Sequence, residues 1–180
     1  MYEKTLKVET RYVGLIVDVE VQEVELETGQ RALREIVRHQ PAVAVVVRHD
    51  DGRFLFIRQF RKPAEQVMIE AVAGVCEEGE DPTVCAAREL REETGFAAGS
   101  IRHLGLIFPS PGYVDERIDI FFAEVSGKPG ALTLDHDERV ETLGVTAAEF
   151  QELIRHNKIH DGKTLAAWLM FTTTAMEPTP

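Results

Sequence analysis

Three glutamates, Glu89, Glu92 and Glu93, fall within five consecutive positions of a 180-residue chain. On a helix turning about 100° per residue they share an arc of about 100°. Ala86, Ala87, Leu90 and Thr94 gather on nearly the opposite side. Carboxylates this close repel one another, and a divalent cation relieves the repulsion, carboxylate oxygens being the ligands magnesium prefers. An amphipathic helix with a solvated acidic face has the same pattern. Two neighbours single this segment out. Arg88 sits one turn before Glu92, where it can orient the acids, and Glu80 lies in a glycine-containing loop ahead of the helix.

The helix that must carry these residues is bounded by its own chemistry. Asp81 is suited to N-cap it, Pro82 to the first helical position, and Gly95 to stop it, which predicts a helix over residues 82–94. Two more helices are expected, one after Thr146 to about His156 and one after Asp161 carrying Leu165, Trp168 and Leu169. Strands surround them. Tyr12 to Glu27 alternates apolar and polar residues with a change of phase at Gln22-Glu23, read as a bulge, and Arg31 to Arg38 returns as its partner after Thr28-Gly29-Gln30. Ala42 to Val47 is continuously apolar, as in a strand covered on both faces, and Asp50-Asp51-Gly52 turns it into Phe54–Phe60. Further strands are predicted at residues 68–73, 101–108, 117–125 and 140–145. The class is α/β: a mixed sheet with helices packed on it, plus an N-terminal β hairpin over residues 1–40, a main domain over 41–175 and a frayed tail over 176–180.

Composition limits the partners. Hydrophobic residues make up 44% of the chain, ample for a core, and the formal net charge is −11. So acidic a chain is a poor match for nucleic acid or an anionic membrane, and it needs a local cation to bind a phosphorylated ligand. Cys76 and Cys85 are too few for a disulfide framework and read as reduced thiols of a cytoplasmic protein. The first residues lack a signal-peptide pattern, and no apolar run approaches about 18 residues. No nucleophile elbow or P-loop is present.

The stretch from Gly74 to Phe96 resembles the Nudix box: Gly74, five residues, Glu80, seven residues, Arg88-Glu89-Leu90, one residue, Glu92-Glu93, one residue, Gly95-Phe96. The resemblance implies a Nudix-type α/β/α sandwich and hydrolysis of a pyrophosphate bond with Mg2+, Mn2+ substituting. It assigns Glu89 and Glu93 as metal ligands, Glu92 as completing the site or holding a bound water, and Ala73 as a ligand through its backbone carbonyl. Glu92 and Glu93 are thereby catalytic residues, whereas Gly74, Glu80, Arg88 and Gly95 shape the loop and helix. The chemistry is consistent: metal neutralises the anionic diphosphate and acidifies a water that attacks phosphorus.

Residues outside the box point to a branch. Pro111 lies sixteen residues after Gly95, and a proline near this position resembles the ADP-ribose pyrophosphatases. Arg34-Glu35-Ile36, Arg58-Gln59-Phe60-Arg61 and Asp161-Gly162-Lys163-Thr164 resemble that branch and the related GDP-mannose hydrolases. The implied substrate is ADP-ribose or a related nucleoside diphosphate sugar, cut to a nucleoside monophosphate and a sugar phosphate. Arg61 and Arg34 resemble phosphate or nucleotide contacts, and Glu116 a ligand of the terminal sugar hydroxyls. The branch also implies a homodimer that exchanges its N-terminal β hairpins. The loop Leu134 to Glu141 resembles an acidic loop that supplies the general base; Glu138 fills its second acidic slot, and His136 departs from the pattern in the first. Alternative readings are a GDP-mannose-type or nucleoside triphosphate Nudix hydrolase and a non-catalytic nucleotide-binding regulator on the same fold. The regulator has no need of Glu89, Glu92 and Glu93.

Overall fold

A computed structural model describes residues 1–134 and 139–174. It divides into two compact units, one formed by Met1–Pro41 with Phe108–Arg117 and the other by Ala42–Ile107 with the chain from Ile118 onward.

In the first unit the expected hairpin is a three-stranded antiparallel sheet, with strands β1 (Glu3–Val13), β2 (Val17–Leu26) and β3 (Arg31–His39) in the order β1-β2-β3. The strand that sequence reading passed over is β1. Its alternation of Leu6, Val8 and Tyr12 with Lys7, Glu9 and Arg11 fits a strand, although all of its residues are exposed. The irregularity read into β2 belongs to β1 as well. Register shifts fall at Thr5/Lys7 and Thr10/Tyr12, while β2 pairs with β3 without interruption from Val17–His39 to Glu25–Arg31. The phase change at Gln22 has another cause: Gln22 is a buried polar residue on the face of Val24, held by Thr5 and bonded to Glu20. Segment Phe108–Arg117 joins this unit through β3. The Val37 amide donates to the Tyr113 carbonyl at 2.7 Å, and the Asp115 amide donates to the Val37 carbonyl at 3.1 Å. Asp115 also accepts bonds from Arg38 (2.8 Å) and the His39 amide (3.0 Å).

The second unit is built on a mixed sheet, seven-stranded among the described residues. It contains β4 (Ala42–His49), β5 (Phe54–Arg61), β6 (Gln66–Glu70), β7 (Val72–Val75), β8 (Ser100–Ile107), β9 (Ile118–Val125) and β10 (Val140–Val145). Its main path runs β10-β5-β4-β9-β8, with β6 beside β5 and β7 beside β4. Only the β4–β9 pair is parallel among these pairings. Strand β4 is covered on both faces, as its apolar run predicts. Ala42, Ala44 and Val46 pack with Phe54, Phe56, Phe150, Trp168 and Phe171 on one side. Val43, Val45 and Val47 pack with Cys85, Ala86, Leu90 and Phe96 on the other. Helices α2 (Ala147–Arg155) and α3 (Gly162–Thr174) thus cover one face and α1 (Pro82–Thr94) the other, giving the α/β/α sandwich.

The helix ends follow from their caps. Asp81 accepts the Thr83 amide at 2.8 Å and precedes Pro82, and Gly95 closes α1 with φ +74, a conformation costly for side chains other than glycine. Thr146 and Glu149 form a reciprocal capping box on α2. One expected strand proves to be two. The run over residues 68–73 breaks at Ala71, because β6 pairs with β5 while β7 pairs with β4. The Ala71 amide at the crossing donates to the Thr164 hydroxyl at 2.7 Å instead of to a strand. Among the described residues no helix is long and apolar enough to cross a membrane.

Candidate active site

The acidic helix lies against the strand that leads into it. Gly74 of β7 faces Glu89 so closely that a Cβ there would stand 2.0 Å from the Glu89 carboxyl carbon. One residue earlier, the Ala73 amide donates to Glu93 Oε2 at 3.2 Å. Glu93 is only 2% exposed, which corrects the expectation that it shares a face opposite Ala86 and Leu90. Seven residues of helix turn about 700°, so Glu93 stands only about 20° from Ala86. It sits at the border of the apolar stripe, and Glu89 and Glu92 remain partly exposed.

Arg88 holds the acids together. Its Nε and Nη2 bond the two oxygens of Glu80 at 3.0 and 2.8 Å, and its Nη1 bonds Glu89 at 2.7 Å and Glu92 at 3.0 Å. Nη2 also reaches the Val75 carbonyl at 3.1 Å, tying α1 to the end of β7. The Arg88 bonds, opposed by burial and aided by the Glu77 amide, hold the Glu80 carboxyl down at about 2 against an ordinary 4.5. The same carboxylates hold Arg88 more firmly protonated than a free guanidinium, the Glu80 bonds first among them. The side chains of Glu80 and Arg88 are 11% and 24% exposed, so this network is largely screened from bulk water and stronger than a surface pair.

A second group of charges lies at the start of α3. Arg61, at the end of β5, binds both oxygens of Glu70 through Nε and Nη2, each at 2.8 Å. Glu70 is wholly buried and also takes a bond from Lys163, which lies 3.1 Å from Asp161. Burial alone would raise the Glu70 pKa, but Arg61 and Lys163 overcome it and leave the carboxyl below its ordinary value. Sequence reading named Arg61 and missed its partners. The available signal was Glu70 itself, a lone charge inside Met68-Ile69-Glu70-Ala71-Val72-Ala73, which in a core strand demands a cation.

Ala73, Gly74, Glu80, Arg88, Glu89, Glu92, Glu93, Gly95 and Arg61 therefore all belong to one unit. Arg34, Pro111 and Glu116 belong to the other: Arg34 is bound by Glu3 at 3.0 and 2.5 Å, and Glu116 stands 3.8 Å from His39. His136 and Glu138 lie outside the described residues, as does the tail over 176–180. The loop that leads toward them is tied to α1, with the Gly130 amide donating to the Gly95 carbonyl at 2.8 Å and the Thr133 amide to the Glu92 carbonyl at 3.1 Å.

Two other features stand apart from this chemistry. Cys76, Glu80 and Cys85 bring ligand atoms within 4.8 Å of one another. Both oxygens of Glu80 already bind Arg88, whose Nη2 also lies 3.6 Å from Cys85 Sγ, so a guanidinium occupies the place of a cation. Both cysteines are free thiols, and burial pushes both upward in pKa. A groove of about 500 Å³ beside Arg48, His49, Ser100 and Glu124 contains none of the acidic-helix residues.

Comparison with known proteins places this geometry. The chain is 40% identical to the ADP-ribose pyrophosphatase of Bacillus subtilis (strain 168), covering 92% of this chain and 90% of that protein. It is 42% identical to the methanol dehydrogenase activator of Bacillus methanolicus, with the same coverage of 92% and 90%. The crystal structure of an ADP compounds hydrolase shares its fold, with a TM-score of 0.86 at 24% identity over 97% of this chain and 94% of the other. Residues 38–169, which include the whole acidic-helix site, match the NUDIX domain model. The chain belongs to the Nudix family.

Proposed function

We propose that the protein hydrolyses the diphosphate of ADP-ribose or a closely related nucleoside diphosphate sugar, with a divalent metal, releasing a nucleoside monophosphate and a sugar phosphate. The observation that carries the reading is the gathering of Glu89 and Glu92 by Arg88 beside a buried Glu93 fastened to Ala73. The substrate class is supported by relatives called ADP-ribose pyrophosphatase and, at 31% identity, GDP-mannose pyrophosphatase.

The residues fit Mg2+. Their donors are hard oxygens, and the missing side chain at Gly74 leaves the Glu89 carboxylate space that a Cβ would fill. Glu89, Glu92 and Glu93 would hold the metal, with the Ala73 carbonyl as a further ligand and Mn2+ as a substitute. When bound, the metal offsets diphosphate charge and acidifies a water. The protein's own part is to hold those carboxylates in place through Arg88 and Ala73, to meet phosphate oxygens with Arg61, and to accept the water's proton on the loop carrying Glu138, His136 being the alternative base. Arg34 and Glu116 are assigned to the nucleotide and the terminal sugar.

The same reading takes residues 1–40 as a dimerisation region. Exposed apolar side chains on and beside β1, including Val8, Tyr12, Val13, Leu15 and Ile16, support a homodimer. A cytoplasmic setting agrees with the two free thiols.

A second reading draws on the relative called methanol dehydrogenase activator: a regulator that binds a nucleotide without cutting it. Incubation with ADP-ribose, GDP-mannose, a nucleoside triphosphate and capped RNA, with and without Mg2+, separates the two. Metal-dependent release of AMP and ribose phosphate is the expected result. Binding of ADP-ribose with no turnover in any metal supports the regulator and overturns the hydrolase, and preferential cleavage of the triphosphate or capped RNA overturns the substrate assignment.

A further inference from the structure

The guanidinium of Arg61 has two edges able to bind oxygen pairs. The Nε/Nη2 edge is committed to Glu70, while Nη1 has no hydrogen-bond partner among the described residues. The Arg61 side chain is 39% exposed and that of Glu70 1%, so Arg61 joins a sealed anchor to an accessible face. A single arginine would suffice to neutralise Glu70. The structure adds Lys163, bonded to Glu70 and next to Asp161, which together make two cations and two carboxylates in one cluster. The next residue, Thr164, accepts the Ala71 amide at 2.7 Å, two positions before the Ala73 amide that binds Glu93. Asp161 fixes Thr164 in turn, accepting from its amide at 3.0 Å and its hydroxyl at 2.5 Å. The first turn of α3 therefore braces both Arg61 and the strand against which Glu93 rests.

We infer that Lys163 and Glu70 are positioning residues for substrate binding: Lys163 locks the Glu70 carboxylate, and Glu70 turns the outer edge of Arg61 toward the diphosphate. This rests on the hydrolase reading proposed above. A lysine ammonium has three donors and suits a carboxylate that must also receive a bidentate arginine. Removing it leaves Glu70 free to change rotamer, and Arg61 swings with it. A small displacement of a phosphate contact weakens substrate binding before it affects chemistry at the metal.

The test is a double-mutant cycle on the full-length protein. kcat and KM for ADP-ribose are measured at saturating Mg2+ for wild type, Lys163→Met, Arg61→Ala and the double variant, with thermal melts to confirm folding. Lys163→Met is expected to raise KM about tenfold with kcat within about threefold of wild type. In the Arg61→Ala background the same substitution is expected to add less than about twofold, because its effect passes through Arg61. Lys163→Arg, which keeps the charge and a donor to Glu70, is expected to recover most of the lost affinity; it also replaces Lys163→Met in the cycle should that variant unfold, its smaller effect again vanishing without Arg61. Effects that multiply, or a fall in kcat at constant KM, overturn the inference. Failure of wild type to cleave any nucleoside diphosphate sugar overturns the hydrolase reading instead. Calorimetric binding of ADP-ribose then runs the same cycle on Kd, with the same two outcomes.

Discussion

Glu93 Oε2 accepts the backbone amide of Ala73 at 3.2 Å, joining the last turn of α1 to strand β7 across 20 residues of chain. A carboxylate only 2% exposed and supported by an amide is expensive to keep charged. The Arg61 guanidinium lies within electrostatic reach of it, and the role proposed for Glu93 adds a metal ion as a second cation. Glu93→Gln preserves size and the capacity to accept that bond while removing the charge. Turnover of ADP-ribose is expected to fall by at least about 10³-fold, about 4 kcal/mol in barrier, with the melting temperature within a few degrees of wild type. A fully active Glu93→Gln enzyme would refute its role as a metal ligand.

Gly74 tests the closeness of strand and helix. A methyl at this position would meet the Glu89 carboxylate at 2.0–2.3 Å, so Gly74→Ala must push Glu89 aside. Titration of activity with Mg2+ should show half-saturation shifted upward about 10–100-fold. An unchanged Mg2+ curve would mean that Glu89 can move without consequence.

Arg88 bonds Glu80, Glu89 and Glu92 at once. Arg88→Ala leaves three carboxylates without their shared cation and should lower stability by about 2 kcal/mol, seen as a melting point depressed by roughly 4–8 °C. Because Mg2+ can return positive charge to Glu89 and Glu92, millimolar Mg2+ should raise the melting point of the variant more than that of wild type. Equal shifts in the two proteins would place the metal away from these acids.

The Glu80–Arg88 pair also has a signature in acid. Glu80 titrates at about 2 in the folded protein against an ordinary 4.5. On acidification the unfolded chain binds the proton first, so the stabilisation is complete above pH of about 4.5 and lost as pH falls toward about 2. Urea midpoints of wild type and Glu80→Gln should therefore differ most near pH of about 6 and converge as it drops toward about 3. A gap that is constant over this range would show that Glu80 is not ionised by Arg88.

The local parts of the fold were legible because local rules govern them. Asp81, Pro82 and Gly95 set both ends of α1, and the apolar run Ala42–Val47 announced a strand covered on both sides. Strand β1 was legible in the alternation of Leu6, Val8 and Tyr12 with Lys7, Glu9 and Arg11 and was passed over; that none of its residues is buried was decided only by the tertiary structure. The break at Ala71 was hidden, because a run of apolar residues does not reveal that its two halves pair with different neighbours.

The site divides in the same way. By itself, the sequence determined which acids crowd one helix, that an arginine stands among them and that glycines flank them, since these depend on residue type and spacing along the chain. Only the tertiary structure decided that Glu93 is buried against Ala73, that Arg88 serves three carboxylates, and that Arg61 is anchored by Glu70 and Lys163. Those contacts join residues as many as 93 positions apart. Their partners are chosen by sheet pairing and by the need of a buried charge for a counter-charge, and neither leaves a period in the sequence.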